Sequence, residues 1–225
     1  MVKHSLPTTI AAHIFDDLRR RIIEGEFAAG QALREEDLRV TYGSSRGPIR
    51  ESLRLLLQTG LVEQQPRRGF RVRQYTASDV RQIYRLRAML EMQLISELST
   101  RPLGPLLETL EQNCAVMHAC FERSDLDAYF SENARFHQAI IDYAENRILL
   151  EVLEFVNEVS QPIRYRLLGD ALPSRRSLNY HEQLVDLLRR GEIEQAKALV
   201  ESQILENLER AVEVFANAAD AETEA

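Results

Sequence analysis

The sequence predicts a mostly α-helical protein that has one short β-hairpin near its start and an antiparallel bundle of about six helices after it. Apolar residues recur at helical spacing through most of the chain, whereas strict alternation is confined to residues 61–73. From residue 79 onward no strand pattern survives, and short breakers separate the helical segments. The 225 residues suffice for two modest domains, which we expect at 1–75 and 76–225.

Two helices are predicted at the start of the chain. Apolar residues at helical spacing predict the first over residues 9–24, and Gly25 and Gly30 mark the turn that follows. Residues 33–43 predict a shorter second helix that ends at Gly43, because glycine is favoured directly after a helix.

The third predicted helix has two different faces. Ser45 is placed to cap it and Pro48 lies in its first turn, where a missing N–H costs little. One face is apolar and is formed by Ile49, Leu53, Leu56 and Leu57. A second face carries the arginines Arg46, Arg50 and Arg54 at intervals of four. A helix that buries one face and lines the other with arginine suits a DNA major groove, although a solvated basic surface has the same pattern.

The hairpin follows the third helix directly. Residues 61–65 and 69–73 alternate as two strands around a basic tip, Pro66-Arg67-Arg68. A helix, a glycine turn, an arginine-bearing helix and a basic hairpin occur in this order in a winged helix-turn-helix, in which the second helix of the pair reads DNA.

The segment from about Ile10 to Arg73 resembles the winged helix of GntR-type bacterial regulators. The matching residues are Gly25, Gly30, Leu33, Ser45 to Glu51, Gly60 to Val62, Arg68 and Gly69. The resemblance implies a homodimer that binds an inverted repeat in double-stranded DNA. The residues implied to contact DNA are Arg34, Ser45, Arg46, Arg50, Arg54, Arg67, Arg68 and Gly69.

The charge of the chain is divided unevenly between its two parts. The net charge is −7, but residues 1–75 hold 13 Lys and Arg against 9 Asp and Glu, whereas the remainder holds 15 against 26. Residues 44–73 contain seven Arg and two Glu. The basic surface that nucleic acid requires is therefore local, and the acidic remainder disfavours non-specific attachment elsewhere.

The second half resembles the all-helical effector domain of the FadR-type branch of the same family. Helices are predicted at 79–100, 104–123, 125–143, 146–168, 174–190 and 192–219, with Pro162 kinking or interrupting the fourth. The matching motifs are Tyr84 to Arg87 with Glu91, Phe136-His137, Tyr180-His181, Gly191-Glu192 and Ala196.

The resemblance also implies a ligand site inside the bundle. The metal-ligand positions of that branch fall on Asn133, His137, His181 and Gln203, and the two amides are poor ligands for zinc, nickel or manganese. We therefore expect at most weak metal binding through His137 and His181. The two histidines are alternatively neutral core groups, or they bind an effector directly together with Asn133 and Gln203.

The effector implied by the resemblance is a small carboxylate, such as a sugar acid, an organic acid or an amino-acid relative, with a fatty acyl thioester as a further possibility. Arg87 and Arg164 are the candidates to clamp its negative charge. Arg87 is alternatively paired with Glu91 as a structural element.

Other features of the sequence favour a cytoplasmic protein. No apolar run reaches membrane-spanning length and no secretory signal precedes the first helix. Cys114 and Cys120 are six residues apart on one predicted helix, so a disulfide is not expected. Cys114 and His118 have the spacing of half a metal site, but no nearby motif completes it.

The function that these patterns favour is a ligand-responsive transcriptional regulator, such as a repressor, and not an enzyme. One alternative is a metal-dependent helical-bundle enzyme that uses His137 and His181. A second alternative is an architectural DNA-binding protein whose bundle only dimerises. No nucleophile–base set or phosphate-binding loop supports the enzyme, and the polar residues inside the bundle disfavour the architectural protein.

Overall fold

The computed structural model describes residues 9–169 and 175–223, without side chains at 126, 127, 168, 169 and 214–223. The described residues fall into two compact units. The first comprises Met1–Thr76 with Asn157–Tyr165, and the second Ala77–Val156 with Arg166–Ala225. None of the described helices is both long enough and apolar enough to cross a membrane.

The first unit has the predicted winged helix-turn-helix. Its elements are α1 (Ile10–Ile23), β1 (Ala32–Leu33), α2 (Glu35–Tyr42), α3 (Arg46–Gln58), β2 (Val62–Gln65) and β3 (Gly69–Val72). Thr9 caps α1 through its hydroxyl, which accepts from the Ala12 N–H at 3.1 Å. Gly43 ends α2 with φ 56°, a left-handed conformation that glycine adopts without steric cost.

Two local expectations differ from the structure. Ser45 is the N-cap of α3, as predicted, but its side chain makes no capping hydrogen bond. The hairpin is also part of a larger sheet, because β1 pairs antiparallel with β3 and gives the order β1-β3-β2. A strand of two residues is too short to show alternation, so the sequence pattern did not reveal it.

A single apolar core holds the first unit together. Residues of α1, α2, α3 and the sheet contribute Ile14, Leu18, Ile22, Leu38, Ile49, Leu53, Leu56, Leu61, Val62 and Phe70, among others. Within this core Ser52 is fully buried, and its hydroxyl lies 2.7 Å from the Ala11 carbonyl oxygen and 2.8 Å from that of Pro48. This polar contact joins α3 to α1 at a depth where an unpaired hydroxyl would be costly.

The second unit is the predicted helical bundle. Its helices are α4 (Ala77–Leu98), α5 (Gly104–Glu122), α6 (Leu126–Tyr143), α7 (Arg147–Gly169), α8 (Arg175–Arg189) and α9 (Ile193–Thr223), the middle of α7 belonging to the first unit. Helix α4 packs along α9 and α5 along α6, while α8 contacts α5 and α9. Pro162 lies inside α7 without interrupting it.

Candidate nucleic-acid interface and ligand site

Helix α3 presents the predicted pair of faces. Ile49, Leu53 and Leu56 are completely buried, whereas Arg46, Arg50 and Arg54 are exposed. The side chains of Arg46 and Arg50 are 69% and 58% exposed. The packing of one face thus fixes the helix, while the guanidinium groups on the adjoining face remain accessible to a nucleic acid.

The exposed arginines differ in how they are paired. Arg50 Nε lies 2.9 Å from each carboxylate oxygen of Glu35, the first residue of α2. Arg46 Nη2 is 3.9 Å from Glu36, whose carboxylate is instead hydrogen-bonded to Arg39 at 2.7 Å. The contact between Arg50 and Glu35 was not predicted from the sequence. The two residues are 15 positions apart on different helices, so no local spacing indicates their contact.

The other residues predicted to contact DNA lie at exposed positions of the same unit. Arg34 is the residue that precedes α2, and Ser45 is the one that precedes α3. Arg67, Arg68 and Gly69 form the tip of the hairpin and are exposed, with Arg67 at φ 63° and Gly69 at φ 83°. The left-handed conformations close the turn between β2 and β3, so that the tip presents two guanidinium groups.

The helical unit brings the two predicted histidines together. The rings of His137 on α6 and His181 on α8 have centroids 5.5 Å apart, and the ring of Phe136 lies 4.7 Å from that of His181. His181 is only 2% exposed, and its Nδ1 lies 2.6 Å from the Ser177 carbonyl oxygen. Its Nε2 is buried and has no hydrogen-bond partner among the described residues.

Burial determines the charge of His181. It lowers the pKa of the imidazole to about 4, and the hydrogen bond to the Ser177 carbonyl opposes this shift only in part. The ring is therefore neutral at physiological pH. Because a carbonyl oxygen can only accept, Nδ1 carries the proton and Nε2 is an acceptor that lacks a donor.

The remaining predicted ligand-site residues occupy different environments. Asn133 lies one turn before His137 on α6, and Gln203 lies on α9; both are half-buried. Arg87 is buried on α4, and its Nε donates to Glu91 at 2.6 Å. Burial alone would lower the pKa of Arg87, but its interactions with Glu91, Tyr84 and Tyr180 together outweigh this effect and raise the pKa. Arg164 lies in the α7 segment of the first unit.

The donor set does not suit a tightly bound divalent metal. Among the described residues, no three His, Cys, Asp or Glu side chains come together in a way that would hold an ion. His137 and His181 offer two imidazoles, but Asn133 and Gln203 are neutral amides at the other family positions. Burial raises the pKa of the Cys114 thiol to about 11, so this thiol is protonated at neutral pH.

A buried polar pair between α5 and α6 was not predicted from the sequence. Asn113 on α5 donates to Glu132 on α6, and Arg135 donates to the other Glu132 oxygen at 2.9 Å. Glu132 is only 6% exposed. Its helical spacing places it on the inward face of α6, but a carboxylate at such a position is usually assumed to face solvent.

Comparison with known proteins agrees with the two units. Residues 10–72 match the family model described as bacterial regulatory proteins, gntR family, and residues 82–207 match the FCD domain. The chain belongs to the GntR family of transcriptional regulators, in its FCD subfamily. GntR regulators bind DNA operators and FCD domains bind small-molecule effectors, so the alternative of a helical-bundle enzyme is wrong.

Individual relatives support the assignment to the GntR family. An uncharacterised HTH-type transcriptional regulator, YdhC of Bacillus subtilis, is 33% identical over 157 residues, which are 68% of this chain and 69% of YdhC. The transcriptional repressor RspR of Escherichia coli is 26% identical over 79% of this chain and 78% of its own. The structure of E. coli McbR/YncC has the same fold, with a TM-score of 0.76 and 19% identity over 93% of this chain and all of that one.

Proposed function

We propose that this GntR regulator binds an inverted-repeat operator as a homodimer and releases or engages it in response to a small carboxylate. The observation that carries the DNA-binding part is the exposed arginine face of α3 beside a buried apolar face. Arg46 and Arg50 contact bases or phosphates at the major groove, while Arg34 and Arg68 contact the backbone, together with Ser45, Arg54, Arg67 and Gly69.

The exposed apolar residues of the helical unit support a homodimer. Ile148, Val152 and Phe155 of α7 are 61%, 42% and 47% exposed, and they lie on one stripe at intervals of four and three. On α4, Leu86 and Met89 are 43% and 65% exposed. Burying such stripes against a second copy would stabilise a dimer, and a dimer supplies the two reading helices that an inverted repeat requires.

The effector site lies around His181 in the bundle. The unpartnered Nε2 atom needs a donor, and a ligand hydroxyl supplies one without a change in charge. Asn133, His137 and Gln203 offer further hydrogen bonds, and Arg87 retains terminal nitrogens beyond the Nε bonded to Glu91. A small hydroxy acid, such as a sugar acid, combines the hydroxyl and carboxylate that these groups match.

Two measurements test the proposed function. Selection from a randomised duplex library with the full-length protein should yield an inverted repeat, and recovery of no sequence preference would contradict operator binding. A thermal-shift screen against small carboxylates, with and without divalent metal, should identify ligands that raise the melting temperature. A ligand that is a true effector should no longer raise the melting temperature of the His181→Phe variant. It should also change the affinity of the wild-type protein for the selected duplex.

A further inference from the structure

We propose that Glu35 is a specificity-determining residue, which holds Arg50 so that this arginine reads a guanine instead of a phosphate. The inference rests on the proposed operator binding and adds to it a residue that does not itself contact DNA. Its basis is the difference between the two reading arginines, of which only Arg50 is hydrogen-bonded to a carboxylate.

The geometry of the pair restricts Arg50. Both carboxylate oxygens of Glu35 accept from its Nε at 2.9 Å, so one edge of the guanidinium is occupied. The terminal nitrogens Nη1 and Nη2 make no hydrogen bond to any residue within 9–169 or 175–223. These two atoms form the end of the fork that donates in parallel to O6 and N7 of guanine. Fixing Nε also limits the rotamers of a long side chain before DNA is bound.

The charge of the pair favours bases over phosphates. An arginine that is paired with a carboxylate contributes little net positive charge, so its attraction to the phosphate backbone is weakened. Its hydrogen-bond donors remain, and a base edge is an uncharged acceptor. Arg46 lacks such a partner, because the nearest oxygen of Glu36 is 3.9 Å away and Glu36 bonds to Arg39. Arg46 is therefore the better phosphate contact of the two.

Glu36 provides a matched control for Glu35. Both residues lie in the first turn of α2 and carry the same charge, but only Glu35 bonds to Arg50. The full-length protein is first used to select a binding site from a randomised duplex library. Affinities of the wild type, Glu35→Ala, Glu36→Ala and Arg50→Ala are then measured for that site, for its single guanine replacements and for unrelated duplex, over a range of salt concentrations.

The expected result separates the two acidic residues. Arg50→Ala identifies the guanine that Arg50 reads, because replacing that guanine no longer changes the affinity of this variant. Glu35→Ala should lower, by about fivefold or more, the ratio of affinities for the selected site and for the site in which that guanine is replaced. Glu35→Ala should also bind unrelated duplex more tightly, with a logarithmic salt dependence steeper by about one, because Arg50 becomes free to bind a phosphate. Glu36→Ala should keep the discrimination.

Each contrary outcome has a separate meaning. Unchanged discrimination in Glu35→Ala, or an equal loss in Glu36→Ala, would overturn the role of Glu35 while leaving operator binding intact. A wild-type protein that selects no sequence would overturn the proposed function itself. Circular dichroism melting of each variant confirms that the proteins compared are folded. A loss of stability alone would weaken binding to all duplexes equally and would not change the discrimination between them.

Discussion

The Nδ1 atom of His181 lies 2.6 Å from the carbonyl oxygen of Ser177, one turn earlier on α8. Ser177 is itself held by Tyr129 of α6, whose hydroxyl donates to the Ser177 Oγ at 2.8 Å. The proton of His181 is thus fixed on Nδ1, and Nε2 faces the interior as an acceptor. The helical unit therefore prepares one hydrogen-bond acceptor before any ligand arrives.

The buried state of His181 makes stability dependent on pH. Its folded pKa of about 4 is below the ordinary value of 6.5, so the unfolded chain binds the proton more readily between these values. The free energy of unfolding should therefore fall as the pH drops from about 6.5 to about 4, by at most roughly 3 kcal/mol from this group. Urea melts at a series of pH values measure the change.

His118 serves as the control for this pH dependence, because its side chain is 49% exposed on α5. His181→Phe should remove most of the decrease in the free energy of unfolding between pH 6.5 and 4, whereas His118→Gln should retain this decrease. An unaltered pH profile in His181→Phe would show that other groups cause the acid sensitivity.

Arginine substitutions should separate sequence reading from general attraction to DNA. Arg50→Ala should remove the preference for one guanine of the selected operator, because a bidentate contact to guanine is worth about 1–3 kcal/mol. Arg68→Ala at the hairpin tip should weaken binding to all duplexes alike and lower the salt dependence by about one. Gel shifts at several salt concentrations provide both quantities. Full operator affinity in the double variant Arg46→Ala/Arg50→Ala would contradict the assignment of α3 as the reader.

The proposed dimer can be tested on the full-length chain. Phe155→Asp and Met89→Asp place a charge in the exposed apolar stripes of α7 and α4, and each should shift the protein toward monomer at micromolar concentration. Val40→Asp is the matched control, because Val40 is 77% exposed on α2 of the other unit. Light scattering reports the mass of each variant. A wild-type monomer, or an intact dimer in both stripe variants, would refute this interface.

Restoring the family ligands should create a tighter metal site. Asn133→Asp with Gln203→His supplies a carboxylate and a third imidazole beside His137 and His181. The double variant should retain zinc, nickel or manganese after dialysis against a mild chelator, whereas the unmodified protein should retain little without effector. Mass spectrometry gives the metal content. Stoichiometric metal in the unmodified protein would show that the two amides are adequate ligands.

The sequence predicted the long elements of the fold because their patterns repeat. The α3 stripe of Ile49, Leu53 and Leu56 has helical spacing, and the alternation of residues 61–65 identifies a strand. By contrast, β1 depends on backbone pairing of Leu33 with Phe70, 37 positions later, and no local periodicity encodes that contact. The buried hydroxyl of Ser52 was missed for the same reason, since its partner Ala11 is distant in sequence.

The sequence predicted individual residues of the candidate sites but not all of their contacts. Residue type and spacing marked Arg50, and the family resemblance marked His181. The partner of Arg50, Glu35, lies on another helix and follows from the packing of α2 against α3. The pairing of Arg87 with Glu91 was foreseen as an alternative because the two are one turn apart. Sequence spacing therefore identifies contacts within one helix, whereas contacts between elements require the fold.

The pairing of β1 with β3 affects the entropy of DNA binding. Ala32 and Leu33 hold the base of the hairpin through Arg71 and Phe70, and Leu33 is two residues before Glu35 at the start of α2. The three-stranded arrangement orders the base of the hairpin in the free protein. Within the hairpin, binding a duplex would therefore need to immobilise the tip around Pro66, Arg67 and Arg68 but not its base, which reduces the loss of conformational freedom on association.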